Sequence, residues 1–188
     1  MFAKLLNKLS KRFSEKRMKK TLYIVRHATA EEGSYSSMFK DFDRDLTSQG
    51  IIEAARMGKF LKDKGESFDF IVTSCAIRAK ETAKIFAEQL GLNVDDIKLD
   101  ENIYGGGPRA YLSAVNSLTE EYKAAAIFGH NPDVTFFAEF LTRDDVGGQM
   151  EKAAIIKLEF DDELKWAEIS SKMGKFAGYH SPSTIQKA

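Results

Sequence analysis

An arginine and a histidine end the apolar run TLYIVRH, and a second histidine ends another apolar run, AAAIFGH. Residues 22–25 of the first run are β-branched, aromatic or aliphatic, which predicts a strand that is buried on both faces. Open α/β sheets bind their ligands at the carboxyl ends of their strands. Arg26, His27 and His130 are therefore candidates for one shared ligand site.

A third apolar run, FDFIVTS, is also followed by polar residues. Ser74 ends this predicted strand, and Arg78 lies in the first turn of the helix predicted after it. The carboxyl ends of parallel strands open on one edge of the sheet, so these side chains are expected to meet the first group there. Two arginines and two histidines repel one another unless they bind an anion, and guanidinium groups pair well with phosphate oxygens. Helix N-termini at Ala76 and Pro132 would add backbone donors, so the pattern predicts a phosphate site.

Strands and helices are predicted to alternate along the rest of the chain. Thr47 and Gly65 bound one predicted helix, and Gly91 ends the next. VDDIKLDENIY predicts a short edge strand, and DVTFFAEFL predicts a helix whose phenylalanines face the core. AAIIKLEF and KWAEIS predict a final pair of strands, after which His180 lies in an aperiodic tail and is expected to be solvated. This order predicts a three-layer α/β/α sandwich with a mostly parallel central sheet, in a single domain over residues 21–188.

The composition excludes several classes of function. Lys plus Arg number 28 and Asp plus Glu number 28, so the formal net charge is zero. The net charge therefore does not favour binding to nucleic acid or to a membrane. The single cysteine, Cys75, excludes an internal disulfide and fits a reducing compartment, so the protein is expected to be cytoplasmic. We interpret Cys75 as a small packing residue and not as a nucleophile. Asp41, Asp43 and Asp45 alternate as in a calcium loop, but the central glycine and the bidentate glutamate of such a loop are missing.

Residues 1–20 carry eight basic residues and one acidic residue, and form a basic amphipathic or disordered extension. Apolar residues of this segment recur at helical spacing, as in a helix that lies on an anionic membrane surface. The alternative is that translation begins at Met18, directly before the first strand. We favour the second interpretation, or simple disorder, over membrane contact through residues 1–17.

Three motifs, in this order, resemble those of the histidine phosphatase superfamily, also called the phosphoglycerate mutase-like fold. LYIVRHATA resembles its Arg-His-Gly signature, with Ala28 in place of the usual glycine. TSCAIRAKETA resembles Ser-x-x-x-Arg-Ala-x-x-Thr, and IFGHNPDV resembles the motif of the second histidine. The short chain and the element DRDLTSQG, which contains Arg44, are similar to the SixA-like phosphohistidine phosphatases.

The resemblance implies roles for individual residues. His27 would attack phosphorus and form a covalent phosphohistidine, which water then hydrolyses. Its imidazole must be neutral for this step, with its other nitrogen held by a backbone carbonyl. The remaining residues implied in catalysis are Arg26, Arg78, His130 and, as a general acid suggested by LDENIYGGG, Glu101. Those expected to contact substrate are Arg44, Ala28, Asn131 and Ser74, and Ser74 is also expected to brace the helix that follows it. No metal and no cofactor is implied.

The function implied by the resemblance is hydrolysis of phosphohistidine in a phosphorylated protein, such as a histidine-phosphorylated phosphorelay protein. No inserted segment is visible between the second helix and Glu101, so the pocket is expected to be open enough for a protein surface. Two alternatives remain open, a phosphatase of small phosphomonoesters and a non-catalytic phosphate- or phosphoprotein-binding module. A mutase is disfavoured because no lid segment is apparent.

Overall fold

The computed structural model describes residues 19–32 and 41–185, and its described strands form one six-stranded sheet. In chain order the strands are β1 (Lys20–Arg26), β2 (Phe70–Ser74), β3 (Lys98–Asp100), β4 (Ala124–Gly129), β5 (Ile155–Phe160) and β6 (Lys175–His180). Their order across the sheet is β3-β2-β4-β1-β5-β6. The first four are mutually parallel, whereas β5 and β6 run antiparallel to their neighbours. The sheet is therefore mostly parallel, as predicted.

Four α-helices in the described residues cover the two faces of this sheet: α1 (Ser48–Asp63), α2 (Ile77–Leu90), α3 (Gly107–Asn116) and α4 (Asp133–Leu141). One hydrophobic cluster joins α1 and α2 to the sheet, and a second cluster joins α3 and α4 to its opposite face. The alternating side chains of β1 show this directly. Leu22 and Ile24 point into the second cluster, and Tyr23 and Val25 into the first. The predicted three-layer sandwich and the two-sided burial of β1 are confirmed.

Local signals in the sequence set the ends of α1 and α2. The hydroxyl of Thr47 accepts a hydrogen bond from Gly50 N at 3.0 Å, which caps the start of α1. Gly50 itself packs against the backbone of Thr29, where a Cβ would lie 1.9 Å from the carbonyl oxygen. Gly91 ends α2 with a φ of 74°, a conformation that suits glycine. The start of α1 is thereby held beside the loop that follows β1.

The last strand was placed wrongly by the sequence pattern. KWAEIS is not a strand, because Trp166 begins a short 3-10 helix and donates its indole N–H to Tyr122 O at 2.8 Å. The strand that pairs with β5 is β6, an edge strand whose side chains are only partly buried and therefore show weak alternation. His180 lies in β6 rather than in a solvated tail, and its ring packs 4.8 Å from that of Phe60.

The phenylalanines of α4 do not all face the core, which corrects a second expectation. Phe137 is fully buried, but Phe136 and Phe140 are 52% and 36% exposed. A helix turns about 100° per residue, so a single row of side chains faces the sheet. Of the predicted extension over residues 1–20, all but Lys19 and Lys20 lies outside the described residues, and Lys20 is the first residue of β1. No helix in the described ranges has the length and apolar character needed to cross a membrane.

Candidate active site

The carboxyl ends of β1, β2 and β4 meet at one edge of the sheet. β1 and β4 are paired so that Arg26 lies opposite Gly129, which places the residue after each strand, His27 and His130, side by side. The centroids of the two imidazole rings are 5.2 Å apart, and the side chains are only 5% and 8% exposed. Ser74, at the end of β2, lies against His130. The structure thus brings together groups that are about 50 residues apart or more along the chain.

Gly129 allows β4 to approach α3 closely at this point. A Cβ on Gly129 would lie 1.9 Å from the hydroxyl oxygen of Tyr111, a distance that no side chain can occupy. The same hydroxyl accepts a hydrogen bond from His130 N at 3.0 Å. The glycine before His130 is therefore required by packing, and Tyr111 fixes the backbone that carries the histidine.

His27 presents one free ring nitrogen. Its Nδ1 lies 2.7 Å from Ala28 O, and because a carbonyl can only accept, Nδ1 carries the proton of the neutral ring and donates it. Nε2 is left with its lone pair. Burial lowers the pKa of His27 to about 2, the hydrogen bond to Ala28 O opposes the shift, and the charges of Arg78 and Lys152 lower the pKa further. His27 is therefore neutral at physiological pH and has the form needed for nucleophilic attack.

Thr82 of α2 holds the loop that carries His27. Its hydroxyl accepts a hydrogen bond from Ala28 N at 3.0 Å and donates one to Arg78 O at 2.6 Å. Ala28 is fully buried and does not have a positive φ, so an alanine fits there without backbone strain despite the glycine usual in the motif. Through its backbone, Ala28 positions the imidazole of His27.

Ser74 fixes the protonation of His130. The hydroxyl oxygen of Ser74 accepts a hydrogen bond from Ala76 N at 3.3 Å, which leaves the hydroxyl proton free for His130 Nε2 at 2.9 Å. If Nε2 accepts this proton, the neutral ring carries its own proton on Nδ1. Burial, together with the charge of Arg78, lowers the pKa of His130 to about 3. His130 is therefore neutral, and we assign it the tautomer in which Nδ1 carries the proton and can donate to a ligand.

Arg26 and Asn131 are anchored by the same carbonyl group. Met150 O accepts hydrogen bonds from Arg26 Nη1 at 2.7 Å and from Asn131 Nδ2 at 2.9 Å. Asn131 also accepts a hydrogen bond from Thr135 at 2.9 Å. Because both ends of its amide are engaged with protein groups, we assign Asn131 a positioning role for the segment that holds Arg26.

Asp41 joins the other two arginines of the site. Its carboxylate lies 3.0 Å from Arg78 Nη2 and 2.7 Å from Arg44 Nη2, and accepts a hydrogen bond from the Tyr104 hydroxyl at 2.7 Å. Burial raises the pKa of Asp41, but the hydrogen bond from Tyr104 and the two arginines outweigh it and hold the pKa below its usual range. Arg44 also donates to Glu31 O at 2.9 Å. The Asp41 carboxylate therefore engages donors of Arg78 and Arg44 that could otherwise bind an external anion.

Four buried side-chain nitrogens of the described residues have no hydrogen-bond partner, and all four belong to this site: the Nε atoms of Arg26, Arg44 and Arg78, and His130 Nδ1. Each of them can donate, and an unpaired buried donor costs about 1–3 kcal/mol. An anion bound among them would satisfy several at once. The arrangement places buried nitrogen donors that can bind an anion beside a neutral imidazole that can act as a nucleophile.

Glu101 lies near Cys75, which follows Ser74 in the chain. It begins a short 3-10 helix after β3, its side chain is exposed, and no described hydrogen bond joins it to either histidine. Burial raises the pKa of the Cys75 thiol, and the carboxylate of Glu101 raises it further, so Cys75 stays protonated. Within the described ranges no group of three His, Cys, Asp or Glu side chains could hold a metal ion.

Lys152, Tyr104, Tyr111 and Asp41 belong to the site but were not assigned to it from the sequence. Lys152 precedes β5, which is antiparallel to β1, so the rule about carboxyl ends of parallel strands does not apply to it. Tyr104 and Asp41 come from connecting segments without a periodic pattern. The one usable signal was the length of the polar segment after β1, since long connections in compact domains are often functional.

A family model for the histidine phosphatase superfamily (branch 1) matches residues 22–130. A 2,3-bisphosphoglycerate-dependent phosphoglycerate mutase from Azorhizobium caulinodans is 37% identical over 93 residues, which are 47% of this chain and 45% of the mutase. An uncharacterized protein from a Picosynechococcus strain is 32% identical over 146 residues, or 73% of this chain and 83% of that protein. The chain thus spans about half the length of the mutases that it matches.

Two solved structures share the fold. The protein histidine phosphatase SixA complexed with tungstate superposes with a TM-score of 0.73 at 21% identity, over 88% of this chain and 99% of that one. A mycobacterial glucosyl-3-phosphoglycerate phosphatase superposes with a TM-score of 0.58 at 15% identity, over 84% and 97% of the two chains. At these identities the likeness shows the architecture, and it confirms the predicted phosphoglycerate mutase-like sandwich.

Proposed function

Since the chain belongs to the histidine phosphatase superfamily, we propose that it hydrolyses phosphohistidine in a protein through a covalent intermediate on His27. One observation carries this proposal. A neutral, buried imidazole with a free Nε2 stands beside a group of buried nitrogen donors that have no partner in the described structure. This combination provides a nucleophile and a preformed site for the phosphoryl oxygens.

The reaction proceeds in two displacements. In the first, the Nε2 lone pair of His27 attacks phosphorus in line, the bond from phosphorus to the substrate nitrogen breaks, and the substrate imidazole, which solvent has already protonated on its other ring nitrogen, leaves as the neutral ring. In the second, water attacks phosphorus, the bond from phosphorus to His27 Nε2 breaks and returns its electron pair to Nε2, the proton of the water passes to solvent, and inorganic phosphate is released. Arg26, Arg44 and Arg78 stabilise the charge on the equatorial oxygens in both steps. His130 donates through Nδ1 and adds no positive charge of its own.

The nature of the leaving group favours phosphohistidine as the substrate. An alkoxide must be protonated as it leaves, which requires a well-placed general acid. The exposed position of Glu101 supports only weak acid catalysis, whereas an imidazole can be protonated before it departs. The connection between α2 and Glu101 holds only a 3-10 turn and the three residues of β3, so it leaves the crevice open to a protein surface. The shared fold with SixA supports the same assignment.

A phosphatase of small phosphomonoesters is the second candidate. Glu101, whose carboxylate lies near Cys75, could protonate an alcohol, and the stretch that matches the phosphoglycerate mutases supports a small phosphorylated substrate. A non-catalytic binding module is disfavoured, because binding an anion requires cations but not a neutral imidazole with a free nitrogen. The proposed reaction requires no metal ion.

The test is release of phosphate from a histidine-phosphorylated phosphorelay protein and from an aryl phosphate, with and without a chelator. We expect rapid release from the protein, no effect of the chelator, and loss of release in His27→Gln. His180→Gln is the matched control, because His180 is the third histidine of the chain and lies on β6 against Phe60. Release only from the aryl phosphate would favour the second candidate, and no release from either would refute both.

A further inference from the structure

A polar cavity of about 520 Å³ adjoins the phosphoryl site. It shares Arg26 with that site, and its other walls include Thr29, Gln49, Glu53, Glu151 and Lys152. The first turns of α1, the loop after His27 and the segment before β5 form it. Any substrate bound at His27 therefore has a second polar surface beside its phosphoryl group.

The two carboxylates of this cavity are already hydrogen-bonded within the protein. Glu53 accepts hydrogen bonds from Thr29 N at 3.1 Å, from the Thr29 hydroxyl at 2.8 Å and from Gln49 at 3.3 Å. Glu151 accepts one from the Ser183 hydroxyl at 2.9 Å. Neither carboxylate is paired with a cation of the cavity in the described structure.

Neither cation of the cavity makes a direct ion pair with a described carboxylate, although Glu53 and Glu151 line the same cavity. Lys152 is half-buried, and its ammonium group makes no ion pair or hydrogen bond with any described residue. Arg26 donates through Nη1 to a neutral carbonyl, and its buried Nε has no partner. Burial lowers the pKa of Lys152, the charges of Arg26 and Arg44 lower it further, and the carboxylate of Glu53 opposes the shift. The ammonium group of Lys152 and the Nε of Arg26 therefore remain available to contact an anion in the cavity.

Backbone hydrogen bonds fix Lys152 relative to the nucleophile. The next residue, Ala153, donates its N–H to His27 O at 3.1 Å, and Arg26 donates its N–H to Ala154 O at 3.1 Å. The carbonyl of Met150, two residues before Lys152, accepts from the Arg26 guanidinium. Lys152 is therefore held in place from both sides rather than carried on an independent loop.

We propose that this cavity is a second anion subsite, in which Lys152 binds a carboxylate or second phosphate carried close to the transferred phosphoryl group. The proposal rests on the proposed function and narrows its substrate class. In a protein substrate the second anion is an aspartate or glutamate near the phosphohistidine. In a small substrate it is a carboxylate or phosphate of the same molecule. Lys152 determines which substrates are preferred, whereas Arg26 contacts both the phosphoryl group and the second anion.

The test is calorimetric binding of phenylphosphonate and of its 3-carboxy and 4-carboxy derivatives, which cannot be hydrolysed. The wild type is expected to bind at least one carboxylated ligand about tenfold more tightly than phenylphosphonate, as one charge-assisted contact provides. Lys152→Gln should remove this preference. Lys59→Gln, which changes an exposed lysine paired with Asp63 on α1, should retain it.

Equal binding of all three phosphonates to the wild type, or a preference that persists in Lys152→Gln, would overturn the subsite. This result is independent of turnover, so it is distinct from a failure of the phosphate-release assay. A second arm compares peptides that carry a stable phosphohistidine analogue beside Glu or Gln. Tighter binding of the Glu peptide, lost in Lys152→Gln, assigns the anion to a protein, and a preference confined to the arylphosphonates assigns it to a small molecule.

Discussion

His27 and His130 lie side by side among three arginines and a lysine, and this environment decides their protonation. A proton on either ring would add positive charge in a region that already repels it, and burial removes the water that could compensate. Both rings are therefore neutral, as the proposed attack requires. A bound dianionic phosphoryl group would balance the positive charge of these side chains. The charges of the site are therefore arranged to bind an anion.

Asp41 competes with the substrate for Arg78 and Arg44. We expect Asp41→Asn to bind tungstate or inorganic phosphate about tenfold more tightly than the wild type, because the arginines no longer have an internal anion. Isothermal titration calorimetry at neutral pH measures this directly. Asp43→Asn, an exposed change of the same type two residues further along, is the matched control and should bind as the wild type does. Weaker binding by Asp41→Asn would instead show that Asp41 only positions the arginines.

Ser74 is expected to act through His130. In Ser74→Ala the proton donor to His130 Nε2 is lost, so the ring can adopt the wrong tautomer and offer no donor on Nδ1. We expect kcat to fall about ten- to a hundredfold, with KM changed by less than about threefold. Steady-state kinetics checks this, with Ser117→Ala as the control because that hydroxyl donates only to Ala114 O. A change confined to KM would show that Ser74 contacts substrate directly.

Helix α2 acts as a brace for the loop after β1. Thr82→Val keeps the shape of the side chain but leaves Ala28 N without its acceptor, which is expected to cost about 1–3 kcal/mol in the free energy of unfolding. Because that backbone carries His27, kcat should fall as well. Thr82→Ser keeps the hydroxyl and should retain most of the activity. Denaturant unfolding and turnover, measured on both variants, check the prediction. Equal stability and equal turnover of the two variants would contradict it.

The order of elements and the main groups of the site could be predicted, because they depend on local patterns. Strand ends mark where Arg26, His27 and His130 converge, and capping residues mark the ends of α1 and α2. The edge strand β6 was missed because its partly exposed side chains do not alternate clearly between apolar and polar residues. Lys152 and Asp41 were missed as site residues for a related reason. They reach the crevice from the turn before an antiparallel strand and from a connecting segment, which only the packed structure brings there.

The whole molecule should lose stability in mild acid. The folded pKa values of His27 and His130, about 2 and about 3, lie below the unfolded value, so the unfolded chain binds more protons as the pH falls through about 6.5. Stability is therefore greatest above that pH. Each histidine is expected to lower the free energy of unfolding by about 2 kcal/mol between pH 7 and pH 5. Urea unfolding across this range measures the loss.

The double variant His27→Gln/His130→Gln is the control for this prediction. Its free energy of unfolding should fall less over the same pH range. The loss that remains comes from His180, whose pKa is also lowered by burial. Asp41 and Glu66 have lowered pKa values and contribute only at more acidic pH. An equal slope in the wild type and the double variant would contradict the assignment of two buried neutral histidines.

Covalent catalysis on His27 requires a phosphorylated form of the enzyme, and capture of that form is the test. The protein is mixed with a histidine-phosphorylated substrate carrying labelled phosphate, quenched in alkali within milliseconds, and mapped by mass spectrometry. We expect label on His27 that is stable in alkali, labile in acid, and absent from His27→Gln. Label on another residue, or turnover in His27→Gln at the rate of the wild type, would contradict it.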